Sequence, residues 1–283
     1  MHRLQRNALR LSFEFFPPRT PAAEQNLNVS VARLKLLRPD YFSVTFGAGG
    51  STREKTFETT RFINYTTGIE AAPHVSCIGS SREELRQIIH NYKNHGFDHL
   101  VALRGDLPSG LAGAGALRFA SELVEFIRRE TGRHFHIDVA CYPEFHPQAQ
   151  SAETDLENFR RKVDAGADSA ITQYFYNADA YFRFIESCSR LGIDVPIVPG
   201  IMPITNRSQL VRFSNMCGAE IPRWILKRLY DFGDDLDAIR SFGIDVSIRL
   251  CAQLLDAGVP GLHIYTMNKA EASEAIWAAL DLA

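Results

Sequence analysis

The chain has 283 residues, of which 45% are hydrophobic and 23% are charged, and its formal net charge is −2. This balance is typical of an ordinary globular protein, and it argues against a nucleic-acid or membrane-surface partner, because phosphates call for a basic face. No apolar run approaches the roughly 18 residues of a membrane span, and the N-terminal stretch MHRLQRNALR lacks the apolar core of a signal peptide. The five scattered cysteines include no C-x-x-C pair, which indicates a reducing compartment and predicts a cytoplasmic protein.

Short β-branched or aromatic runs alternate with longer amphipathic runs along the whole chain, which predicts a β/α architecture. The predicted strands are 11–16, 41–46, 72–78, 99–105, 136–142, 169–176, 196–202 and 261–267. Helical patterns follow them, and several open on an N-cap residue and close on glycine, as from Ser81 to Gly96 and from Asn177 to Gly192.

The gap between the last two predicted strands holds two additional helical segments, 222–232 and 234–257. Eight β/α units in about 250 residues match the size of a (β/α)8 TIM barrel. We therefore predict an α/β fold, a single barrel domain over residues 1–283 with extra helices between the last two strands. A doubly wound open sheet is the alternative, and the even spacing of the units favours closure.

Functional residues of such a barrel are expected at the carboxyl ends of its strands. Mostly polar side chains stand at those ends, strand after strand. They are Glu14, Thr45, His74, Arg104 with Asp106, Tyr142 with His146, Gln173, Met202 and Tyr265. Each alone has an ordinary structural explanation, such as a core histidine or a capping amide. Their succession predicts a site at this rim.

The segment LSFEFFPP places one carboxylate, Glu14, among aromatic residues just before two prolines. Side chains alternate across a strand, so Glu14 shares a face with Ser12 and Phe16, and the other face suits packing against helices. The glutamate should then point into the barrel mouth, where apolar neighbours favour the protonated carboxyl group that a general acid needs. The alternative is a structural ion pair with an arginine such as Arg19 or Arg104.

Two glycine-rich stretches do not form a dinucleotide fingerprint. GLAGAGAL (110–117) contains G-x-G, but no strand precedes it directly and no third glycine follows at the Rossmann spacing. FGAGGS (46–51) reads as a β-to-α turn. No His, Cys and Asp cluster has metal-ligand spacing in the sequence, and no G-x-S-x-G turn is present, so no metal site is predicted.

Several segments, in order along residues 11–281, resemble bacterial methylenetetrahydrofolate reductase: LSFEFFPPRT, VTFGAGGSTRE, VALRGDLP, VACYPEFHPQA, FRRKVDAGAD, ITQYFY and PGIMPITN. The combination of FEFFPP, LRGD and CYPE-x-HP at these spacings is specific to that family. The resemblance implies a flavin-bearing barrel that reduces 5,10-methylenetetrahydrofolate to 5-methyltetrahydrofolate in one-carbon metabolism and methionine supply. It implies FAD as the cofactor and NADH or NADPH as the electron donor. It also implies that the chain is the catalytic barrel without a regulatory domain. The expected assembly is a homo-oligomer, either a tetramer or a dimer.

The resemblance also implies roles for individual residues. Glu14 matches the general acid, and Asp106 matches an aspartate that contacts the pterin near the flavin. The substrate-contacting positions are Glu14, Thr45, Asp106, Gln173, Gln209, Phe213 and Lys269. The cofactor-contacting positions are Thr45, Phe46, Ala48, His74, Arg104, Gly105, Asp106, Ala120, Tyr142, His146, Ala149, Asp155, Asn158, Arg161 and Lys162.

Three details qualify these roles. Gln173 and Phe213 match positions that serve folate and nicotinamide in turn, which implies ping-pong hydride transfer through FAD. At Lys269 the family usually has arginine, so the charge is kept while the planar fork is lost. Asp155 and Lys162 fall on one helix face with Asn158, and they offer an acid for ribose hydroxyls and a cation for a pyrophosphate.

Two other classes of protein stay open. One is a barrel that binds a pterin without flavin, such as a folate methyltransferase or a reductase that passes hydride directly. The flavin-matching positions argue against it. The other is a non-catalytic binding barrel, against which the presence of Glu14, Asp106 and Gln173 argues. The colour of the purified protein distinguishes the flavoprotein from both.

Overall fold

The computed structural model describes residues 9–46, 50–105 and 115–282, and within them parallel strands alternate with helices. The strands are β1 (Arg10–Phe15), β2 (Tyr41–Val44), β3 (Glu70–Ser76), β4 (His99–Leu103), β5 (His136–Cys141), β6 (Ser169–Thr172), β7 (Ile197–Val198), β8 (Gly200–Ile201) and β9 (Gly261–Tyr265). The helices are α1 (Pro21–Lys35), α2 (Gly50–Thr67), α3 (Arg82–Asn94), α4 (Ala120–Thr131), α5 (Ala152–Asp164), α6 (Ala178–Arg190), α7 (Arg207–Cys217), α8 (Arg223–Asp231), α9 (Leu236–Asp256) and α10 (Glu271–Ala279).

The strands form one parallel sheet in the order β7-β6-β5-β4-β3-β2-β1-β9-β8, which confirms the predicted barrel. Its two edge strands are consecutive in the chain, because the predicted strand 196–202 is divided at Pro199. β7 pairs with β6 and β8 pairs with β9, so the sheet nearly closes on itself across this proline. A Cβ atom on Gly200 would lie 2.2 Å from the Thr172 carbonyl oxygen, which explains the glycine at this crossing.

The predicted helix starts are confirmed by their caps. Ser81 accepts a hydrogen bond from the Glu84 N–H, and the Glu84 side chain accepts from the Ser81 N–H, a reciprocal capping box. Asn177 caps α6 by accepting from the Asp179 N–H. The two predicted helical segments between the last strands correspond to α8 and α9.

Three clusters of buried hydrophobic residues hold the described elements together, and the two largest join the helices to the sheet. The larger lies between the barrel wall and the surrounding helices, where Phe13 packs on Trp277 of α10 with ring centroids 4.8 Å apart. The smaller, here called the satellite core, joins α7, α8 and α9 to the ends of β6 and β8. Its buried members are Tyr174, Tyr176, Met202, Ile204, Leu210, Ala219, Ile225, Leu229, Ile239 and Val246. Gly243 lets α9 approach this core closely, because a Cβ there would lie 1.9 Å from the Ile204 carbonyl oxygen.

All five cysteines are free thiols, and Cys217 alone among them is not buried. Among the helices of the described ranges, none has both the length and the apolar character that a bilayer span requires.

Candidate active site

Glu14 lies on the inward face of β1, as strand alternation predicts. Its Oε2 atom is 3.4 Å from His74 Nε2 and 3.5 Å from His263 Nε2. Within the described residues these two imidazoles are its ion-pair-distance partners, so the alternative of a pair with Arg19 or Arg104 is wrong there. Apolar neighbours were expected around Glu14, but the inward positions of β3 and β9 beside it are histidines.

The two imidazoles are held in different ways. Burial lowers the pKa of His74 to about 4, so this ring is neutral near pH 7 and leaves Glu14 without a charged partner on that side. On the other side of the His263 ring, a hydrogen bond of 2.7 Å between Nδ1 and Ser12 Oγ fixes the orientation of the ring. Both Nε2 atoms are buried and make no hydrogen bond within the described residues. The carboxyl group therefore faces two ring nitrogens that make no hydrogen bond with any other group of the described chain.

The backbone around Glu14 is fixed by the loop that follows β9. The Glu14 carbonyl oxygen accepts hydrogen bonds from both the N–H and the hydroxyl of Thr266. The Asn268 side chain accepts from the Phe16 N–H at 2.9 Å and donates to the Phe16 carbonyl at 2.8 Å. The end of β1 is thus clamped, which holds the carboxylate at a defined place in the mouth. Sequence reasoning missed this clamp, because its partners are far apart in the chain.

Tyr265 also borders Glu14, since the two residues are register partners across β1 and β9. Its hydroxyl donates to the Thr172 carbonyl at 2.7 Å, and burial raises the pKa of Tyr265 well above its usual value. This phenol is therefore a fixed neutral wall of the mouth at physiological pH.

Four predicted cofactor residues are linked at the ends of β4 and β5. Arg104 Nη2 donates to Gln148 Oε1 at 2.6 Å, and the Gln148 N–H donates to His146 Nδ1 at 3.0 Å. Asp155 Oδ2 accepts from the His146 N–H at 2.9 Å, and the Tyr142 and His146 rings meet edge to face at 4.7 Å. Gln148 connects this group and was not predicted, although it lies inside the HPQA part of the motif that carries the resemblance.

The predicted cations of α5 point in different directions. Arg161 is exposed and donates to Asn158 Oδ1 at 3.3 Å. Lys162 Nζ donates to the Ala140 carbonyl of β5 at 2.5 Å, and burial lowers its pKa. An acid, an amide and two cations are the donors and acceptors that a dinucleotide requires, so this set fits FAD. Lys162 would have to exchange its contact with Ala140 for one with a phosphate.

The remaining predicted cofactor positions of the described ranges lie along the same rim. The Thr45 N–H donates to the Phe15 carbonyl at 2.9 Å, and the Ala149 N–H donates to the His146 carbonyl at 2.8 Å. The further positions are Phe46 just after β2, Gly105 just after β4 and Ala120 at the first turn of α4. Gly105 has a φ of +86°, and a Cβ there would lie 1.9 Å from Ser76 Oγ. Ala48 and Asp106 lie outside the described residues.

Apart from Glu14 and Thr45, the predicted substrate positions of the described ranges lie just after β6, on α7 and in the loop that follows β9. Gln173 follows β6, where its Oε1 atom accepts from the Tyr174 N–H at 3.1 Å. Gln209 and Phe213 lie one turn apart on α7, and Phe213 packs against the satellite core. Gln209 and Lys269 line one surface cavity of ≈ 380 Å³. The structure thus brings Gln209 and Lys269 together although they are far apart in sequence.

A second polar group, here called the floor network, fills the amino-terminal end of the barrel. It consists of Arg10, Tyr41, His99, His136, Asp138 and Ser169. Asp138 accepts hydrogen bonds from Tyr41 at 3.0 Å, from His99 at 2.8 Å and from Ser169. Burial alone would lower the pKa of His99, but the charge and hydrogen bond of Asp138 raise it to about 9. The buried pair is therefore an imidazolium and a carboxylate near pH 7.

Three members of the floor network, His99, His136 and Asp138, bring potential ligand atoms within 4.8 Å of one another. Sequence spacing missed this group because its members lie on the neighbouring strands β4 and β5. His99 Nε2 already bonds Asp138 Oδ2 at 2.8 Å, and the Arg10 guanidinium lies 2.8 Å from His136 Nε2. A cation there would displace an arginine, so the arrangement favours a hydrogen-bonded ion pair over a metal centre.

The fold and the rim define a (β/α)8 barrel with a clamped carboxylate in its mouth and a dinucleotide-compatible donor set beside it. A family model described as methylenetetrahydrofolate reductase matches residues 1–281. The chain is 44% identical over 268 residues to 5,10-methylenetetrahydrofolate reductase of Escherichia coli (strain K12), covering 95% of this chain and 89% of the relative. The reductase of Buchnera aphidicola subsp. Acyrthosiphon pisum is 40% identical over 271 residues, covering 96% and 91%. The chain therefore belongs to the methylenetetrahydrofolate reductase family.

A solved structure from Clostridium thermocellum has the same fold. It is described as an uncharacterized protein that binds two copies of 5-methyl-5,6,7,8-tetrahydrofolic acid. It matches with a TM-score of 0.67 at 19% identity and covers 98% of this chain and 96% of that one. At this identity the likeness shows the fold alone.

Proposed function

We propose that this protein reduces 5,10-methylenetetrahydrofolate to 5-methyltetrahydrofolate, with FAD as cofactor and NADH or NADPH as electron donor. The observation that carries the proposal is the position of Glu14, clamped in the barrel mouth of a chain that matches the reductase family over nearly its whole length. The names of the relatives support the reaction, and the donor set at the rim supports the flavin.

The proposed role of Glu14 is to give its carboxyl proton to the folate nitrogen that leaves the methylene bridge as the bridge opens. His74, whose pKa burial lowers to about 4, places a neutral ring rather than a cation 3.4 Å from the Glu14 carboxyl group, and a positioned carboxyl group of this kind is a candidate general acid. The clamp by Thr266 and Asn268 keeps the donor oxygen in place between turnovers.

FAD, when bound, would supply two-electron hydride chemistry. The residues that would hold it, through ribose hydroxyls and the pyrophosphate, are Arg104, His146, Asp155, Asn158, Arg161 and Lys162. Because Gln173 and Phe213 are matched to both folate and nicotinamide, we propose that the two substrates take turns at one face, which gives ping-pong kinetics. The resemblance also supports a homo-oligomer, which light scattering of the purified protein tests.

The decisive experiment combines a spectrum with a product assay. We expect the purified protein, supplied with FAD, to show flavin absorption and to form 5-methyltetrahydrofolate from 5,10-methylenetetrahydrofolate and NADH or NADPH. Removal of FAD should abolish product formation, and its return should restore it. Product formation that does not depend on flavin would favour direct hydride transfer. A protein that binds the folate without forming product would favour the binding barrel.

A further inference from the structure

His263 stands between the carboxyl group of Glu14 and the interior of the barrel. Its side chain is fully buried, and its Nε2 atom lies 3.5 Å from Glu14 Oε2 without a hydrogen bond within the described residues. Its Nδ1 atom lies 2.7 Å from Ser12 Oγ. A neutral imidazole carries one ring hydrogen, on either Nδ1 or Nε2. The partner of Nδ1 therefore decides what Nε2 presents to Glu14.

The direction of the hydrogen bonds around His263 is set in the floor network. Asp138 is buried and accepts from Tyr41 at 3.0 Å and from His99 at 2.8 Å. Burial alone would raise the pKa of Asp138, but the charge of His99 and the hydrogen bonds of His136 and His99 lower it well below its usual value. An ionised carboxylate has no hydrogen to give. The Tyr41 hydroxyl must therefore direct its one hydrogen to Asp138.

Ser12 transmits this direction to His263. It is the register partner of Tyr41 on β2 and of His263 on β9, and its side chain hydrogen-bonds to both. Burial raises the pKa of Tyr41 well above its usual value, so the phenol stays protonated, and with its hydrogen on Asp138 its oxygen can only accept from Ser12. The Ser12 oxygen is then left to accept from Nδ1 of His263. The reverse arrangement would leave no hydrogen between Ser12 and Tyr41 and would lose a buried hydrogen bond.

We propose that His263 is a positioning residue, held by Ser12 with its ring hydrogen on Nδ1, so that Nε2 accepts the carboxyl hydrogen of Glu14. This inference rests on the proposed function. An acceptor at Nε2 favours the carboxyl group over the carboxylate, because the lone pairs of a carboxylate would face the lone pair of Nε2 at 3.5 Å. Glu14 then keeps its proton between turnovers and gives it to the folate nitrogen. One proton from solvent restores the carboxyl group after the product leaves.

The position of the ring hydrogen can be measured directly. Solid-state nitrogen-15 NMR of the FAD-loaded protein, labelled at histidine, distinguishes the two tautomers without any substrate, and the signal of His263 is identified by its loss in His263→Gln. At about pH 7.5, above the ordinary titration range of histidine, the wild-type ring should carry its hydrogen on Nδ1. Tyr41→Phe removes the acceptor of the Ser12 hydrogen, so Ser12 can donate to Nδ1. The ring hydrogen should then move to Nε2, with a change of about 5-fold or more in the tautomer ratio.

Ser43→Ala is the matched control. Ser43 is the register partner of Glu14 on β2, and its buried hydroxyl makes no hydrogen bond within the described residues. Its removal should leave the tautomer of His263 unchanged. Ser12→Ala is a second test, which decides the matter if Tyr41→Phe does not fold. It removes the partner of Nδ1 and should also increase the form with hydrogen on Nε2.

The pH profile of the folate half-reaction gives a second measurement. Two other titratable groups face Glu14, His74 of β3 and Tyr265 of β9. Burial lowers the pKa of His74 to about 4 and raises that of Tyr265 well above its usual value, so neither changes charge between about pH 5 and 8. In Tyr41→Phe the ring N–H would stabilise the ionised carboxylate, so the half-reaction should be lost at lower pH than in the wild type. At a fixed alkaline pH the rate should fall about 10-fold for each pH unit of displacement.

The outcomes separate this inference from the proposed function. A wild-type His263 ring with its hydrogen on Nε2 overturns the inference, whether or not the protein reduces the folate. A Tyr41→Phe variant that is less stable but keeps the wild-type tautomer and pH profile also overturns it, because Tyr41 would then have a structural role alone. If the tautomers behave as expected but no folate is reduced, the proposed function fails, and the role of His263 in the reaction fails with it.

Discussion

Replacement of Asp138 by asparagine tests the electrostatics of the floor network. Asp138 holds the buried imidazolium of His99 at 2.8 Å and also accepts from Tyr41. Asparagine keeps the shape of the side chain and removes its charge. The variant should therefore have a lower free energy of unfolding than the wild-type protein, and the size of the decrease should depend on pH.

The magnitude follows from the pKa of His99, which rises from 6.5, the ordinary value of a histidine side chain, to about 9. Burial opposes this rise, and the charge and hydrogen bond of Asp138 outweigh it. A raised pKa means that the folded protein gains stability below about pH 6.5 and loses that gain as the pH rises through about 9. The rise corresponds to about 3 kcal/mol of unfolding free energy. Glu70, 3.6 Å from His99 Nδ1, would retain a part of it in the variant.

Urea unfolding at about pH 6 and about pH 9.5 measures this contribution. The wild-type protein should be less stable at the higher pH by about 3 kcal/mol through this pair, and Asp138→Asn should lose most of that difference. Asp168→Asn is the control, because the partner of Asp168 at 2.5 Å is an arginine, Arg128, and not a histidine. It should be destabilised equally at both pH values. An Asp138→Asn variant with the full wild-type pH dependence would refute the assignment.

Three further predictions concern the proposed reaction. Glu14→Gln should slow the folate half-reaction by ~10²–10⁴-fold and spare electron uptake from the nicotinamide, which stopped-flow absorbance resolves; the reverse pattern would contradict its role as the acid. Arg161→Ala combined with Lys162→Ala should weaken FAD binding by ~10²–10⁴-fold in a fluorescence titration, and full flavin occupancy after purification would locate the pyrophosphate elsewhere. Phe213→Ala should raise KM for both substrates by roughly 2- to 10-fold, with parallel lines in double-reciprocal plots of the wild-type enzyme; intersecting lines would indicate separate sites.

Local pattern was sufficient for much of the architecture. Strand alternation predicted that Glu14 points inward, and the contacts of Phe13 with Trp277 on the opposite face confirm it. The caps at Ser81 and Asn177 were readable because an N-cap acts within one turn of its own helix. The division of the seventh strand was not predicted, although Pro199 lacks the N–H that a ladder requires and was a visible signal.

Contacts between distant segments account for what the sequence left open. His263 was missed, yet it lies two positions before Tyr265 on the same strand face, so alternation would have directed it to Glu14. The meeting of His99 with Asp138 depends on the register between β4 and β5, which no local pattern encodes. The same limit applies to the cavity of Gln209 and Lys269, because it forms only when α7 folds back beside the end of β9.

The satellite core has a consequence for how this protein can change over evolutionary time. Glu14 is carried by a barrel strand, whereas Gln209 and Phe213 are carried by a helix whose buried contacts lie largely in a separate core. Substitutions that repack the satellite core can shift the substrate positions proposed on this helix while the strand that carries Glu14 stays unchanged. Under the proposed function, ligand selectivity and the acid chemistry then depend on separate hydrophobic cores, and a lineage can alter the first without repacking the second.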